Sequence, residues 1–357
     1  MKKILSGCIA LLCTTLSWAD NGFSIDEFTI EANGDMQTVQ IKMSNDVTFS
    51  GFQFDLELPE GVSITKNSQD KYNVVATNRL KVYDDFEDTW TATHTIVCTQ
   101  QPSGVYRVMV YSSTSANITG TTGTAVLRMQ LTASDQAATG TFTPKFTNIV
   151  MSQADETQYK PDDCSYTCNV TLSTRVTTLG YASFSWPKAI DFSESGLTAF
   201  IAKNCTGNSL KLVPVTKVPA NTGLILKGTA GSDNTYQLQT TEEETDDVSE
   251  NLLSSNTAGI YTVASDDIYV LSNLNDGQPG FYRAAQGIQV RQYKSYLQYS
   301  ASQSIELYFD EDETTGISII NNSQPTDDGM YYDLQGRRVS HPTKGVYILN
   351  GKKIIVK

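Results

Sequence analysis

Histidine is almost missing from this chain: 357 residues contain two, His94 and His341. General-base and nucleophilic catalysis draw on histidine more than on any other side chain. Its scarcity argues against a Ser/His/Asp or Cys/His enzyme, and no G-x-S-x-G or H-E-x-x-H run restores the case. His94, in Trp90-Thr91-Ala92-Thr93-His94-Thr95-Ile96, reads as a polar strand residue. Cations are scarce too: 26 Lys and Arg face 39 Asp and Glu, a net charge of −13. That sign disfavours nucleic acid, whose phosphates need a basic face, and its ordinary consequence is solubility through self-repulsion. Long apolar runs are also lacking. Beyond residue 19 nothing approaches the ~20 residues of a membrane helix, and no amphipathic helix of convincing length competes with the strand patterns.

The two ends carry the clearest signals. Lys2 and Lys3, the apolar run Ile4 to Leu16 and the small-x-small Ser17-Trp18-Ala19 make residues 1–19 a secretory signal peptide. Export follows, to the cell surface or medium, with the periplasm as the alternative. Leu5-Ser6-Gly7-Cys8 also has the form of a lipobox, so a lipoprotein anchored at Cys8 is the rival reading. Only Ile4 separates that box from the lysines, and targeting motifs must fit their flanks. Without its leader the chain keeps 338 residues, enough for about two domains, and a charge of −15. Residues 331–357 reverse that sign. Arg337, Arg338, Lys344, Lys352, Lys353 and Lys357 oppose only Asp333, and Asn350-Gly351 between β-branched and aromatic runs predicts a type I′ hairpin.

Between the ends the period is two. Phe52, Phe54, Leu56 and Leu58 alternate with Gln53, Asp55 and Glu57. Val39, Ile41 and Met43, then Tyr106, Val108 and Val110, then Leu127, Met129 and Leu131 repeat the pattern. Turn signals at Pro59-Glu60-Gly61 and Pro102-Ser103-Gly104 separate them. The fold class is all-β, with an antiparallel sandwich over 20–172. Residues 173–309 are a second β-rich domain, a sandwich or a barrel, with strands at Thr198–Ala202, Gly223–Gly228, Ile268–Leu271 and Ile305–Phe309. Residues 310–330 read as an acidic and flexible linker.

Four cysteines remain in the mature chain: Cys98, Cys164, Cys168 and Cys205. An exported chain permits disulfides, and all four are candidates, with no pairing fixed by sequence. Cys164 and Cys168 could pair only across a turn, because in one extended strand their Cα atoms would lie roughly 13 Å apart. Zinc at this C-x₃-C lacks a second ligand pair. The best constellation for binding is acidic and aromatic: Tyr83, Asp84, Asp85 and Trp90. Trp90 and Tyr83 could stack on a sugar ring while Asp84 and Asp85 accept hydroxyl protons or hold a hard cation such as Ca²⁺. A solvated loop is the bland account of the same residues. Two carboxylates also suffice for glycoside hydrolysis, which keeps that enzyme class open.

Three resemblances follow from the motifs. The strand at Val39–Met43, F-x-G-F-Q-F-D-L-E-L-P-E-G-V from Phe49, then V-Y-R-V-M-V-Y-S-S and G-T-A-V-L-R-M-Q-L-T-A are similar to the cohesin domain. Cohesins belong to a superfamily of jelly-roll sandwiches that includes carbohydrate-binding modules. This resemblance implies binding without catalysis, to a protein partner or a polysaccharide. Residues 173–309, through G-Y-A-S-F, V-P-A-N-T-G-L-I-L-K-G, D-I-Y-V-L and G-F-Y-R, look like a β-domain found near the C-termini of bacterial surface proteins. The tail resembles the sorting domain of type IX secretion cargo. The resemblance assigns its Asp333, Gly336, Arg337, Lys344, Gly345 and Tyr347 to the motif and implies the secretion machinery as a partner. A purely structural or adhesin-like surface protein is the third functional class.

Overall fold

The structure is a computed structural model that describes residues 21–118, 121–231, 235–273, 279–300, 304–309, 318–320, 331–332, 338–339, 344–349 and 352–356. Residues 1–20, with Cys8 and the expected leader, lie outside them. Among the described residues the regular structure is strand throughout, apart from one helical turn at Asn78–Leu80. The all-β expectation holds.

The first sandwich is a jelly roll of two antiparallel sheets. One runs Asn21–Ile25, Gln37–Asn45, Thr121–Ala133, with Val62–Ile64 and Val74–Ala76 both on the far side of the last strand. The other runs Lys145–Ser152, Gly51–Leu56, Tyr106–Tyr111, Thr95–Gln100, with Gln158–Tyr159 and Cys164–Ser165 outside the first strand. The alternation read from sequence sets which side chains meet between them. Phe54, Leu56, Val108, Ile41 and Met43 are wholly buried, and Phe23 packs its ring 4.9 Å from Phe54 and 5.0 Å from Phe52. Each such side chain contributes about 1.5–3 kcal/mol by leaving water. Asp55 departs from the expected pattern. It lies on the outer face as its phase requires, yet it is buried, because Arg107 Nε and Nη2 and Asn148 Nδ2 close over its carboxylate at 2.7, 2.7 and 2.8 Å.

The expected boundary at residue 172 falls inside a strand. Cys168–Arg175 pairs in parallel with Phe28–Glu31 through its first half and antiparallel with Gly140–Phe142. Its second half, Leu172 to Arg175, pairs with Thr235–Thr240 of the following block. One continuous sheet thus spans both blocks, and one apolar core runs from Phe23 through Leu172 to Phe184, Trp186 and Leu238. Further ties cross the same junction: the Tyr293 hydroxyl donates to Asp135 at 2.9 Å, and the Thr240 amide to Thr139 Oγ1 at 2.8 Å.

The second block explains its own unbroken apolar runs. Its nine-stranded sheet begins at Tyr181–Phe184 and ends at Leu253–Asn256. The two ends are drawn together by Ser185 N–H to Tyr293 O (3.0 Å) and Leu252 N–H to Ala202 O (2.7 Å), giving a barrel-like closure. In Thr198–Thr206, Ala199 and Ile201 face the shared core while Phe200 and Ala202 face a separate interior with Leu212, Ile225, Tyr269 and Phe281. A strand buried on both faces has no polar side to alternate with.

Strand pairing at the C-terminal end reaches back beyond the expected tail, 331–357. Ser318–Ile320, inside the supposed linker, pairs in parallel with Ile354–Val356. Tyr331–Tyr332, Arg338–Val339, Gly345–Leu349 and Lys352–Val356 complete that sheet. Gly345–Leu349 and Lys352–Val356 pair antiparallel with Leu349 opposite Lys352, the register of the expected two-residue turn. Asn350-Gly351 itself lies outside the described residues.

Candidate functional site

The acidic and aromatic residues singled out by sequence are brought together on one hairpin. Lys81–Asp84 and Thr89–Ala92 pair with each other and with no third strand among the described residues. The hairpin grows from the sandwich at Leu80 and Thr93: the Thr93 amide and hydroxyl both donate to Leu80 O, each at 3.0 Å. Leu80 is wholly buried, so the base is anchored by packing while the arm beyond it is solvated.

Tyr83 and Trp90 sit opposite each other across the two strands, the geometry in which paired aromatics stabilise a hairpin. Their ring centroids are 5.0 Å apart and the planes tilted by 46°. The Tyr83 hydroxyl donates to Asp88 Oδ1, and this bond raises the Tyr83 pKa. Asp84 Oδ1 accepts from the amides of Phe86 (2.9 Å) and Glu87 (3.2 Å), an Asx turn that folds the tip. Asp88 then takes the left-handed conformation, φ 51°, that brings the chain back. Asp84 and Asp88 are therefore engaged in holding the tip. Asp85 is exposed. Among the described residues no group of three or more His, Cys, Asp or Glu could hold a metal ion.

Sequence reasoning missed the residue that makes the site distinctive. Phe86 stands at the tip with 97% of its surface in water, and Val82 (55%) and Trp90 (47%) are exposed beneath it. An aromatic inside the run Asp84-Asp85-Phe86-Glu87-Asp88 was the available signal, since four carboxylates guarantee a solvated turn and no core can receive that ring. The hairpin thus presents exposed apolar side chains among four carboxylates.

His94 corrects an expectation. Expected as a strand residue, it instead occupies the bend between the hairpin and Thr95–Gln100, where it is buried with Nδ1 2.9 Å from Thr93 Oγ1. Burial holds its pKa below the usual imidazole value. The disulfide candidates are corrected as well. Cys98, Cys164, Cys168 and Cys205 are all free thiols. Cys164 pairs along one sheet with Phe146, whereas Cys168 opens the strand shared by the two blocks. Burial pushes Cys98 up to about 12 and Cys168 to about 11, so neither is a reactive thiolate. Of the tail motif, Lys344 is exposed and Gly345 starts a strand, while half-buried Tyr347 meets Tyr331 edge-on at 6.3 Å. Asp333, Gly336 and Arg337 lie outside the described residues.

Two depressions also mark the sandwich. One, of about 700 Å³, is lined by Glu57, Glu60, Gln100, Tyr106 and Phe142 at the loop end. The other, of about 470 Å³, lies over the outer sheet face by Gln53, Met109, Tyr111, Val150 and Lys160.

The chain matches no protein-family model and no curated protein. Its similarity is to solved cohesin modules. A type I cohesin of Clostridium thermocellum, solved in complex with its dockerin, is 12% identical over 42% of this chain and 98% of its own, with a TM-score of 0.32. The seventh ScaB type I cohesin of Pseudobacteroides cellulosolvens is 12% identical over 43% and 94%, with a TM-score of 0.33. The cohesin module of a Clostridium perfringens family 33 glycoside hydrolase is 11% identical over 43% and 96%, with a TM-score of 0.31.

Proposed function

We propose that this is a non-catalytic, exported surface protein that binds a protein partner through the hairpin Lys81–Ala92. The observation that carries the reading is the exposed apolar series Val82, Tyr83, Phe86 and Trp90 on an arm anchored at Leu80 and Thr93. Leaving a phenylalanine 97% exposed forgoes about 1.5–3 kcal/mol of burial in the free protein. A partner that covers it recovers that energy, and aromatic anchors of this kind dominate binding interfaces. The two aromatic planes, tilted at 46°, do not form one flat platform for a sugar, which favours a protein over a polysaccharide. Phe86 has no polar group with which to orient hydroxyls. Calcium is not required by this reading, because the Asp84 and Asp88 carboxylates already have donors within the hairpin.

Export and sorting belong to the same proposal. The leader-like residues 1–19 and the basic tail suit a protein delivered to the outside of the cell. The five-stranded tail sheet supports recognition of residues 318–357 as a separate module by a secretion machine. The second β-block serves as a structural partner of the binding module, through the strand the two share.

The test compares the immobilised full chain with a Phe86→Ser/Trp90→Ala variant, against surface proteins of the source organism and a glycan array. A protein retained by the first and lost from the second supports the reading. Glycan retention that is lost from the variant replaces it with polysaccharide binding. Retention of the same ligands by both removes the hairpin from the function.

A further inference from the structure

We infer that the outer edge of strand Thr95–Gln100 is a second binding site, one that accepts an extended segment of a partner polypeptide as an added β-strand. It extends the binding reading without resting on the aromatic tip. This strand is the last in its sheet and pairs, among the described residues, only with Tyr106–Tyr111. Gln101 N–H donates to Val105 O at 2.8 Å, which fixes the phase of the ladder. In an antiparallel pair bonded and non-bonded positions alternate, so Gln101, Thr99, Val97 and Thr95 turn their amides toward Tyr106–Tyr111. Ile96, Cys98 and Gln100 therefore turn N–H and C=O outward, and no backbone partner receives them among the described residues.

The burial pattern marks the same side as open. Val108 and Val110, the cross-strand neighbours of Cys98 and Ile96, are 0% and 1% exposed. Ile96 and Cys98 point into the same core yet are only half-buried. Val74–Ala76 of the facing sheet comes near this edge, and Val75 there is 52% exposed, but it makes no backbone bond to the edge. A strand laid along Ile96–Gln100 would gain hydrogen bonds and cover apolar surface together.

Edge strands are ordinarily blunted with lysine, proline, inward charge or a covering loop. Thr95-Ile96-Val97-Cys98-Thr99-Gln100 has no such residue. The first sheet's edge at Asn21–Ile25 differs, for there the Cys164 thiol lies against Phe23 O at 3.2 Å. The Tyr72 hydroxyl reaches the Gln100 side chain at 3.4 Å, but an edge whose backbone groups have no partner among the described residues is the structure that strand addition uses, with main-chain bonds giving affinity and alternate side chains giving selectivity.

Charge selects the occupant. The hairpin Lys81–Ala92 ends two residues before this strand and carries Asp84, Asp85, Glu87 and Asp88 against Lys81, a net −3. A second copy would bring an equal negative arm and its own net negative charge, so an edge-to-edge dimer is opposed. A heterologous segment alternating β-branched residues with lysine or arginine satisfies both the edge and the arm.

Amide exchange of the full chain tests this, using a synthetic peptide of alternating valine and lysine long enough to span the strand. We expect exchange at Ile96, Cys98 and Gln100 to slow ~tenfold or more on peptide addition, with Val97 and Thr99 unchanged because they are already bonded. Cys98→Pro removes an outward donor at an edge position that tolerates proline and should abolish the protection. Phe86→Ser/Trp90→Ala should preserve it, which separates this site from the hairpin tip. Unchanged exchange at the three amides in the unmodified chain at saturating peptide would overturn the site whatever the variant does. Concentration-dependent protection of the three amides without peptide would overturn the choice of occupant in favour of a second copy.

Discussion

Leu238→Ala tests whether the two β-blocks are one folding unit. Leu238 is 1% exposed, lies opposite Leu172 in the strand pair that joins the blocks, and belongs to the core that continues to Phe23. Removing three carbon groups at ~0.8 kcal/mol each, with a cavity term added, costs about 3 kcal/mol. For a unit of this size a loss of 1 kcal/mol lowers Tm by roughly 2 °C, so the whole unit should melt ~6 °C lower. The assay pairs calorimetry with hydrogen exchange read at Gly51–Leu56, in the middle of the first sandwich and away from the substitution. Coupled blocks give a single transition that moves and a Gly51–Leu56 segment whose protection falls with it. Two transitions, with Gly51–Leu56 still protected while Thr235–Thr240 opens, would refute the shared core.

Other consequences follow from single groups. Arg107→Met leaves the buried Asp55 carboxylate with Asn148 as its remaining partner. Unpaired buried charges cost about 3–5 kcal/mol, but Arg107 is 36% exposed, so screening reduces the expected loss to about 2 kcal/mol in a urea titration. His94 has a depressed folded pKa, so below the ordinary imidazole pKa the unfolded chain takes up a proton that the folded one refuses. Stability is then full at pH 8 and falls as pH drops through 6.5 toward the folded value, and His94→Gln should flatten that difference between urea midpoints at pH 8 and pH 5.5. In unreduced, unfolded protein Cys98, Cys164, Cys168 and Cys205 should all alkylate, as free thiols do. A resistant pair by mass spectrometry would show a disulfide.

The sequence made the sandwich legible because an antiparallel sheet with one face buried writes its register as alternation. Phe52, Phe54 and Leu56 needed no further context. Asp55 was placed on the correct face, but its burial was not legible because it depends on Arg107 from the neighbouring strand and Asn148 from another, neither of which a one-strand pattern contains. The continuity across residue 172 was hidden for a related reason. Cys168–Arg175 looks like the last strand of a sandwich, and its second set of partners lies far along the chain, at Thr235–Thr240. In the second block unbroken runs such as Thr198–Ala202 announced strands but not their double burial. At the hairpin, Tyr83, Asp84, Asp85 and Trp90 were found by composition. Their roles came only from geometry, which assigns Asp84 to the turn and leaves Phe86 as the exposed residue.

Photo-cross-linking from the hairpin tip tests the central claim most directly, with benzoylphenylalanine in place of Phe86 on the surface of the source organism. Loss of one aromatic anchor costs about 2 kcal/mol or more, roughly thirtyfold in affinity. The account predicts a discrete protein adduct that excess unmodified chain competes away and the Phe86→Ser/Trp90→Ala chain does not. No protein adduct, or equal competition by both chains, would contradict it.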